Sequence, residues 1–194
     1  MTTLEHIIDK YDLSADRAIT DIPQAGRNEL ASLLHELDFK DGVEIGVQRG
    51  IFSEIICQRN PQMRVYGVDA WAPPNGPRMR QKAQKRMSIY PQYSIIDDWS
   101  VSAAQQFADR SLDFVYIDAD HSYESCLDDI GAWHPKIRAG GILSGHDYFN
   151  TNTSSRVQCY VKSAVLQYMR DHQMAPLLIW GRGLDKSNSW SFVV

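Results

Sequence analysis

Several things are scarce in these 194 residues. There are three cysteines, Cys57, Cys126 and Cys159, far apart and without a C-x-x-C pair. An odd, scattered count argues against a disulfide framework and reads as buried thiols in a reducing cytoplasm. No apolar run approaches the ~20 residues of a bilayer span, so no membrane partner is expected. The opening MTTLEHIIDKYD interleaves charged with apolar residues, unlike the apolar stretch of a secretory signal. Basic residues are not in surplus: 20 Lys plus Arg stand against 24 Asp plus Glu, a net charge of −4. Nonspecific nucleic-acid binding rests on a basic face that neutralises phosphates, so nucleic acid is not an expected partner. Internal repeats, low-complexity tracts and any linker long enough to split the chain are absent as well.

What is present is ordinary for a globular chain: 43% hydrophobic and 23% charged residues. The length suits one domain of the usual ~100–200 residues, large enough to fold without a disulfide or metal staple. Residues 1–194 therefore read as a single domain, with N-terminal helices over 1–40 and a sheet core over 41–194. Helical patterns cover about residues 3–11 and 23–38. The second places Leu30, Leu33, Leu34 and Leu37 on one stripe, with Pro23 suited to its first turn. From Asp41 on, short apolar runs at 43–47, 64–69, 93–97, 112–118 and 141–146 alternate with helical patterns at 51–59, 78–89, 100–108 and 122–134. Alternation of this kind predicts βαβ units and a parallel sheet covered on both faces. A helix at about 156–171, carrying Val157, Val161, Val165 and Tyr168, leads to LLIW (177–180) and SWSFVV (189–194). Those two runs, separated by a Gly-containing loop, predict an antiparallel hairpin at one edge. The expected fold is α/β: a doubly wound, Rossmann-like, mostly parallel seven-stranded sheet with a C-terminal hairpin.

The first of these βα junctions reads V-E-I-G-V-Q-R-G over residues 43–50. Glycines there let backbone approach a ligand, and the following helix N-terminus favours polar or anionic groups. The pattern is E-x-G-x-x-x-G rather than the G-x-G-x-x-G of dinucleotide binders. Glu44 would place a carboxylate beside the ligand, which suits a cationic cofactor better than a pyrophosphate. Asp69 ends the next strand, 25 residues after Glu44, where an acid faces the same crevice and can accept from both hydroxyls of a ribose. Ordinary strand–turn–helix packing and a loop-capping aspartate are the plainer readings of the same residues.

Together these segments resemble the class I S-adenosylmethionine-dependent methyltransferases, over residues ~25–194. VEIGVQRG is similar to the family's first motif and YGVDAW to its second. IDDWS resembles the third-strand segment around adenine, and LDFVYIDADHSYE and AGGILSGHDY resemble the fourth and fifth strands. The helix 30–37 running into VEIGVQRG is similar to the caffeoyl-CoA and catechol type of small-molecule O-methyltransferase. The DADHSYE…GG…HD wording is shared with bacterial sugar and antibiotic methyltransferases. The resemblance implies S-adenosylmethionine as cofactor. Glu44, Gly46 and Gly50 would line its methionine and ribose end, with Asp69 on the ribose. Asp98 and Trp99 would contact adenine, and Trp71 would pack on the adenine face or fill the surface of the core.

Asp118-Ala119-Asp120-His121 ends the fourth strand and His146-Asp147 the fifth. Carboxylates and imidazoles meeting at neighbouring strand ends suit a divalent cation, Mg²⁺ if oxygens dominate and softer metals if imidazole joins. By the resemblance to metal-dependent O-methyltransferases, Asp118 and Asp147 would be ligands. Tyr148 stands where the family often has Asn, so His146 or a water would supply the third position. In metal-free relatives an Asp at position 118 instead touches the methionine amino group, and both roles stay open. His121 stands where the catechol type has a lysine. An imidazole near pKa 6.5 suits a general base at neutral pH, and a helix-start histidine orienting the loop is the alternative. His6, His35, His134 and His172 read as surface or packing residues.

The expected activity is methyl transfer to a hydroxyl of a small molecule. The alternatives are a metal-independent small-molecule or nucleic-acid methyltransferase and a catalytically silent cofactor-binding protein. IDADHSYE in place of an Asn/Asp-Pro-Pro-Tyr/Phe motif weighs against the nucleic-acid enzyme. Acceptor specificity falls to the N-terminal helices, to the polar loop 148–156 and to the basic stretch 72–87, with a partner subunit, such as a second copy in a homodimer, as a further source. That stretch carries Arg78, Arg80, Lys82, Lys85 and Arg86 and reads either as an anion-holding segment or as a solvated helix face.

Overall fold

The apolar runs and periodic segments become a regular series of elements in a computed structural model that describes residues 1–14, 16–151, 158–183 and 185–194. The helices are α1 (Thr3–Tyr11), α2 (Arg27–Glu36), α3 (Ile51–Arg59), α4 (Gly76–Met87), α5 (Ser100–Ala104), α6 (Tyr123–Trp133) and α7 (Val161–Asp171). The strands are β1 (Ile19–Ile22), β2 (Asp41–Ile45), β3 (Arg64–Asp69), β4 (Tyr93–Asp97), β5 (Leu112–Ile117), β6 (Ile137–Gly145), β7 (Leu177–Trp180) and β8 (Ser189–Val193). They form one sheet in the order β1-β7-β8-β6-β5-β2-β3-β4. β8 runs antiparallel to both of its neighbours, β6 and β7, and every other pairing is parallel.

The sheet is Rossmann-like and mostly parallel, with the expected hairpin, but among the described residues it has eight strands rather than seven. The extra strand, β1, pairs with β7 and takes the edge position expected for the hairpin. Residues 1–40 thus supply a strand as well as two helices. Pro23 lies in the turn that follows β1, and α2 begins only at Arg27, where the Glu29 carboxylate accepts the Gly26 N–H at 2.8 Å. Of the expected helix at 156–171, Val157 lies outside the described residues, as do residues 152–156 of the polar loop.

Strand alternation sends side chains to two cores. Val43, Ile45, Val115 and Ile117 pack beneath α5, α6 and α7 with Ala103, Ile130 and Val165. Phe114 and Tyr116 pack on the other face with Leu30, Leu34, Phe52 and Ile56 of α2 and α3. The three cysteines are buried and free. No helix among the described residues is long and apolar enough to cross a membrane. What positions the site is the sheet order: the chain leaves β2 toward β3 and β4, then returns to place β5 and β6 on the other side. The crevice at this reversal, outside the carboxyl ends of β2 and β5, is where ligands bind in such sheets.

Candidate active site

The β2–α3 loop crosses the reversal point at very short range. Gly46, at φ +91°, donates its N–H to the Val68 carbonyl at 2.9 Å, and Asp118 donates to Ile45 at 2.7 Å. A Cβ on Gly46 would sit 1.9 Å from the Asp118 carbonyl oxygen, so only glycine lets the two strand ends close together. Gly50, at φ +73°, caps α3. Gln48, Trp71 and Asp147 also hold positive φ around the crevice, a backbone state that costs non-glycine residues energy and clusters at functional sites.

Two cavities meet here. One, of about 410 Å³, is lined among others by Asp69, Trp71, Asp98, Trp99, Asp118 and Asp129. The other, of about 580 Å³, includes Arg27, Glu44, Arg49, Asp118, His121 and Asp147. Gly46, Gln48, Asp118 and Ala119 belong to both.

In the smaller cavity Asp69 accepts the Gln48 N–H at 2.8 Å on one oxygen and the Trp71 N–H at 2.7 Å on the other. The backbone thus fixes the carboxylate and leaves lone pairs on both oxygens. The Trp71 indole is buried against Val47 and Ala83, and its Nε1–H donates to the Gln48 carbonyl at 2.9 Å. Trp71 therefore braces the glycine loop as well as lining the cavity. Asp98 accepts from the Trp99 amide, the Ser102 hydroxyl and the Gln106 amide, while the Trp99 ring is 68% exposed at the cavity mouth. Asp129, which the sequence reading passed over, lies buried beside Ser100, and burial pushes its carboxyl up to about 6.

In the larger cavity Glu44 is only 2% exposed. It alternates with Val43 and Ile45 and so faces α3, where its carboxyl accepts from Ser53, whose hydroxyl lies 3.0 Å from that of Tyr93. Burial raises this carboxyl to about 8; the Ser53 hydrogen bond opposes the rise and the Asp118 charge adds to it.

Asp118, His121 and Asp147 converge. One ligand atom from each lies within 4.8 Å of the others, and His121 Nε2 stands 3.4 Å from Asp118 Oδ1 and 3.2 Å from Asp147 Oδ2. Hydrogen bonding to Asp118 raises the imidazole above its ordinary value against the opposing effect of burial, with the Asp147 charge adding. Burial would raise Asp147, but hydrogen bonds from His146 and Ser187 and the charges of both histidines bring it to about 2. His146 turns Nδ1 toward Asp147 Oδ1 at 3.3 Å, and its Nε2 is buried without a partner among the described residues. It lines the same cavity but is not one of the three converging groups.

Sequence reasoning missed Arg27. Its side chain, 16% exposed, reaches from the first turn of α2 to Asp185 at 2.7 Å and Asp118 at 3.8 Å and lies 5.0 Å over the Phe52 ring. Ser187, from the β7–β8 loop, donates to Asp147. No local pattern marks Arg27, Asp185 or Ser187, because sheet order alone brings them here.

A family model described as a methyltransferase domain matches residues 43–148, just over half the chain. No curated protein matches the chain by sequence. Among solved structures, a candidate caffeoyl-CoA O-methyltransferase of Staphylococcus aureus superposes with a TM-score of 0.67 at 14% identity, covering 98% of this chain and 90% of that one. An O-methyltransferase of Bacillus cereus, solved in complex with SAH, gives 0.66 at 15% identity over 99% and 90%. An O-methyltransferase family protein of Burkholderia thailandensis gives 0.65 at 13% identity, and there the chain spans 55% of the longer protein. At these identities the structural likeness is one of fold.

Proposed function

The chain belongs to the methyltransferase-domain family, and from that premise we propose that it transfers a methyl group from S-adenosylmethionine to a hydroxyl of a small molecule. The observation that carries this reading is the convergence of Asp118, His121 and Asp147 beside a glycine loop with a carboxylate on each flank. Asp69 and the adjoining cavity suit an adenosine, its ribose on the fixed carboxylate. Glu44 faces the end where the amino group of a methionine would lie, so that an ammonium would draw its carboxyl into the ionised form.

The triad fits a divalent cation: two carboxylate oxygens and one imidazole nitrogen lie within 4.8 Å of one another, with room in the cavity for water and substrate oxygens. Asp118, His121 and Asp147 would hold it, and His146, with a buried unpartnered Nε2, would steady Asp147. When bound, such a cation lowers the pKa of a coordinated hydroxyl. The chain's own contribution is placement: the glycine loop and the strand ends hold the reacting groups in line.

A second reading follows from the Arg27 guanidinium, 3.8 Å from Asp118. Here Arg27 balances the acidic floor without a metal, Asp118 and Asp147 hold the His121 Nε2–H and orient the ring, and the other ring nitrogen, Nδ1, accepts the hydroxyl proton. Transfer of labelled methyl from S-adenosylmethionine to a panel of small hydroxyl compounds tests the common claim. EDTA separates the readings. Loss of activity restored by Mg²⁺ or Mn²⁺, and abolished in Asp118→Asn and Asp147→Asn, supports the cation. Activity indifferent to EDTA but reduced ~10²-fold or more at pH 7 in His121→Ala supports the base. Absence of S-adenosylhomocysteine binding to the intact chain would remove both.

A further inference from the structure

The acidic crevice has a basic shoulder. α4 carries Arg78, Arg80, Lys82, Lys85 and Arg86 and no acidic residue. Of these, Arg80 and Arg86 have carboxylate partners among the described residues, Asp97 and Glu54. Lys82, Lys85 and Arg86 face Arg49 of the glycine loop across a groove of about 500 Å³ whose remaining lining residue is Glu54. Four cations against one carboxylate leave a local surplus of three positive charges, on a chain whose net charge is −4. The groove wall is built rather than incidental. Arg86 is pinned by Glu54 and donates from Nε to the Arg49 carbonyl at 3.1 Å, which ties α4 to the loop.

Arg49 also lines the larger cavity that holds Glu44, Asp118, His121 and Asp147. One side chain therefore joins the basic groove to the candidate reaction site. The two regions have opposite electrostatics: the floor of the crevice repels an anion, and the shoulder attracts one. A single carboxylate would leave most of the surplus uncompensated. A phosphate monoester carries about two negative charges at neutral pH, and its oxygens suit the forked donors of arginine.

We propose that this groove binds the phosphate or diphosphate group of the methyl acceptor, with the acceptor's hydroxyl reaching past Arg49 into the crevice. This acceptor class rests on the methyl-transfer reading, and the groove itself does not. Anion capture outside the reaction site would fix the direction in which the acceptor enters and keep its charge away from Asp118 and Asp147.

The test uses inorganic pyrophosphate as probe, titrated calorimetrically into the full chain at about 20 mM salt, where screening is weak. Saturable binding with one site is expected, weakened on the order of tenfold or more in Lys82→Glu/Lys85→Glu and weakened less in Lys82→Gln/Lys85→Gln. S-adenosylhomocysteine affinity should be unchanged in both variants, which shows that they fold. No pyrophosphate binding up to about 10 mM, or equal binding in the charge-reversed variant, overturns the groove. Tighter binding of single-stranded oligonucleotides, growing with their length and displacing pyrophosphate, overturns it in favour of a nucleic acid. If the unaltered chain binds pyrophosphate but not S-adenosylhomocysteine, the methyl-transfer reading falls together with the acceptor class, and the anion site stands.

Discussion

Replacing Glu44 with glutamine keeps the size and hydrogen-bonding shape of the side chain and removes its proton. The consequence is calculable. The carboxyl is buried, and desolvation lifts it from an ordinary value near 4.5 to about 8. The folded state thus holds the proton more tightly than the unfolded chain does. Stability from this group is complete below about pH 4.5 and drains away as the pH rises through 8. Each pH unit inside that window costs up to about 1.4 kcal/mol. Between pH 6 and 8 the loss comes to roughly 2 kcal/mol, or about 4–8 °C of melting temperature for a domain of this length. Thermal unfolding of both proteins, without cofactor and followed by circular dichroism at pH 6, 7 and 8, measures it. The Glu44→Gln curve should stay higher at pH 8 relative to pH 6 by that amount. His121 and Asp129 also titrate with raised values, but they are common to both proteins and cancel in the difference. Parallel stability curves would refute the placement of an un-ionised Glu44 against Ser53. In the proposed cofactor site the same residue would govern ligand linkage. An ammonium there would need the carboxylate, which at pH 7 is about one-tenth populated when the pKa is about 8. S-adenosylhomocysteine binding to the unaltered chain should therefore tighten roughly tenfold from pH 7, and roughly a hundredfold from pH 6, to its plateau above pH 8 and release a proton. In Glu44→Gln it should be weaker and lack this component.

Two further substitutions probe the crevice. Gly46→Ala forces a Cβ to within 1.9 Å of the Asp118 carbonyl oxygen at φ +91°; neither backbone can yield without parting β2 from β5. A loss of roughly 3–5 kcal/mol is expected in urea unfolding, and a loss under about 1 kcal/mol would contradict the close approach. Arg27→Gln strips the counter-charge from Asp185 and Asp118. It should cost roughly 2–3 kcal/mol at pH 7, with much of the loss recovered in Arg27→Gln/Asp185→Asn. Additive losses in that double-mutant cycle would show that the pair is not coupled.

Much of this architecture is legible in the chain. The acids Glu44, Asp69, Asp118 and Asp147 announce themselves because a parallel strand buried on both faces is apolar until its carboxyl end, so a carboxylate there marks the rim. β1 escaped because Ile19-Thr20-Asp21-Ile22 is four residues long, alternates on an exposed edge and runs into Pro23, which also suits the start of a helix. β6 begins four residues earlier than its apolar run because Ala139-Gly140-Gly141 crosses a register shift opposite Leu112 and Phe114. Glycines there carry no hydrophobic signal.

The residues hardest to foresee share a cause. Arg27 follows β1, and Asp185 and Ser187 join β7 to β8. These three strands lie side by side at the end of the sheet that extends beyond β6. Their pairing sets Arg27 against Asp185 although 158 residues separate them in sequence. The regular geometry of a βαβ crossover can place Glu44 and Asp118, since one lies at the carboxyl end of β2 and the other directly follows β5. It cannot place a side chain whose position depends on an antiparallel strand inserted between β6 and β7. The side of the crevice proposed for the cofactor therefore comes from local motifs, and the side proposed for the acceptor comes from long-range pairing. The latter includes the cation that balances the acidic floor. Arg27 and the β7–β8 loop are accordingly the segments where exchange between relatives of this fold should change the acceptor while leaving S-adenosylhomocysteine affinity in place. Grafting residues 181–188 of a relative with a known acceptor, and measuring both properties, would show whether they separate.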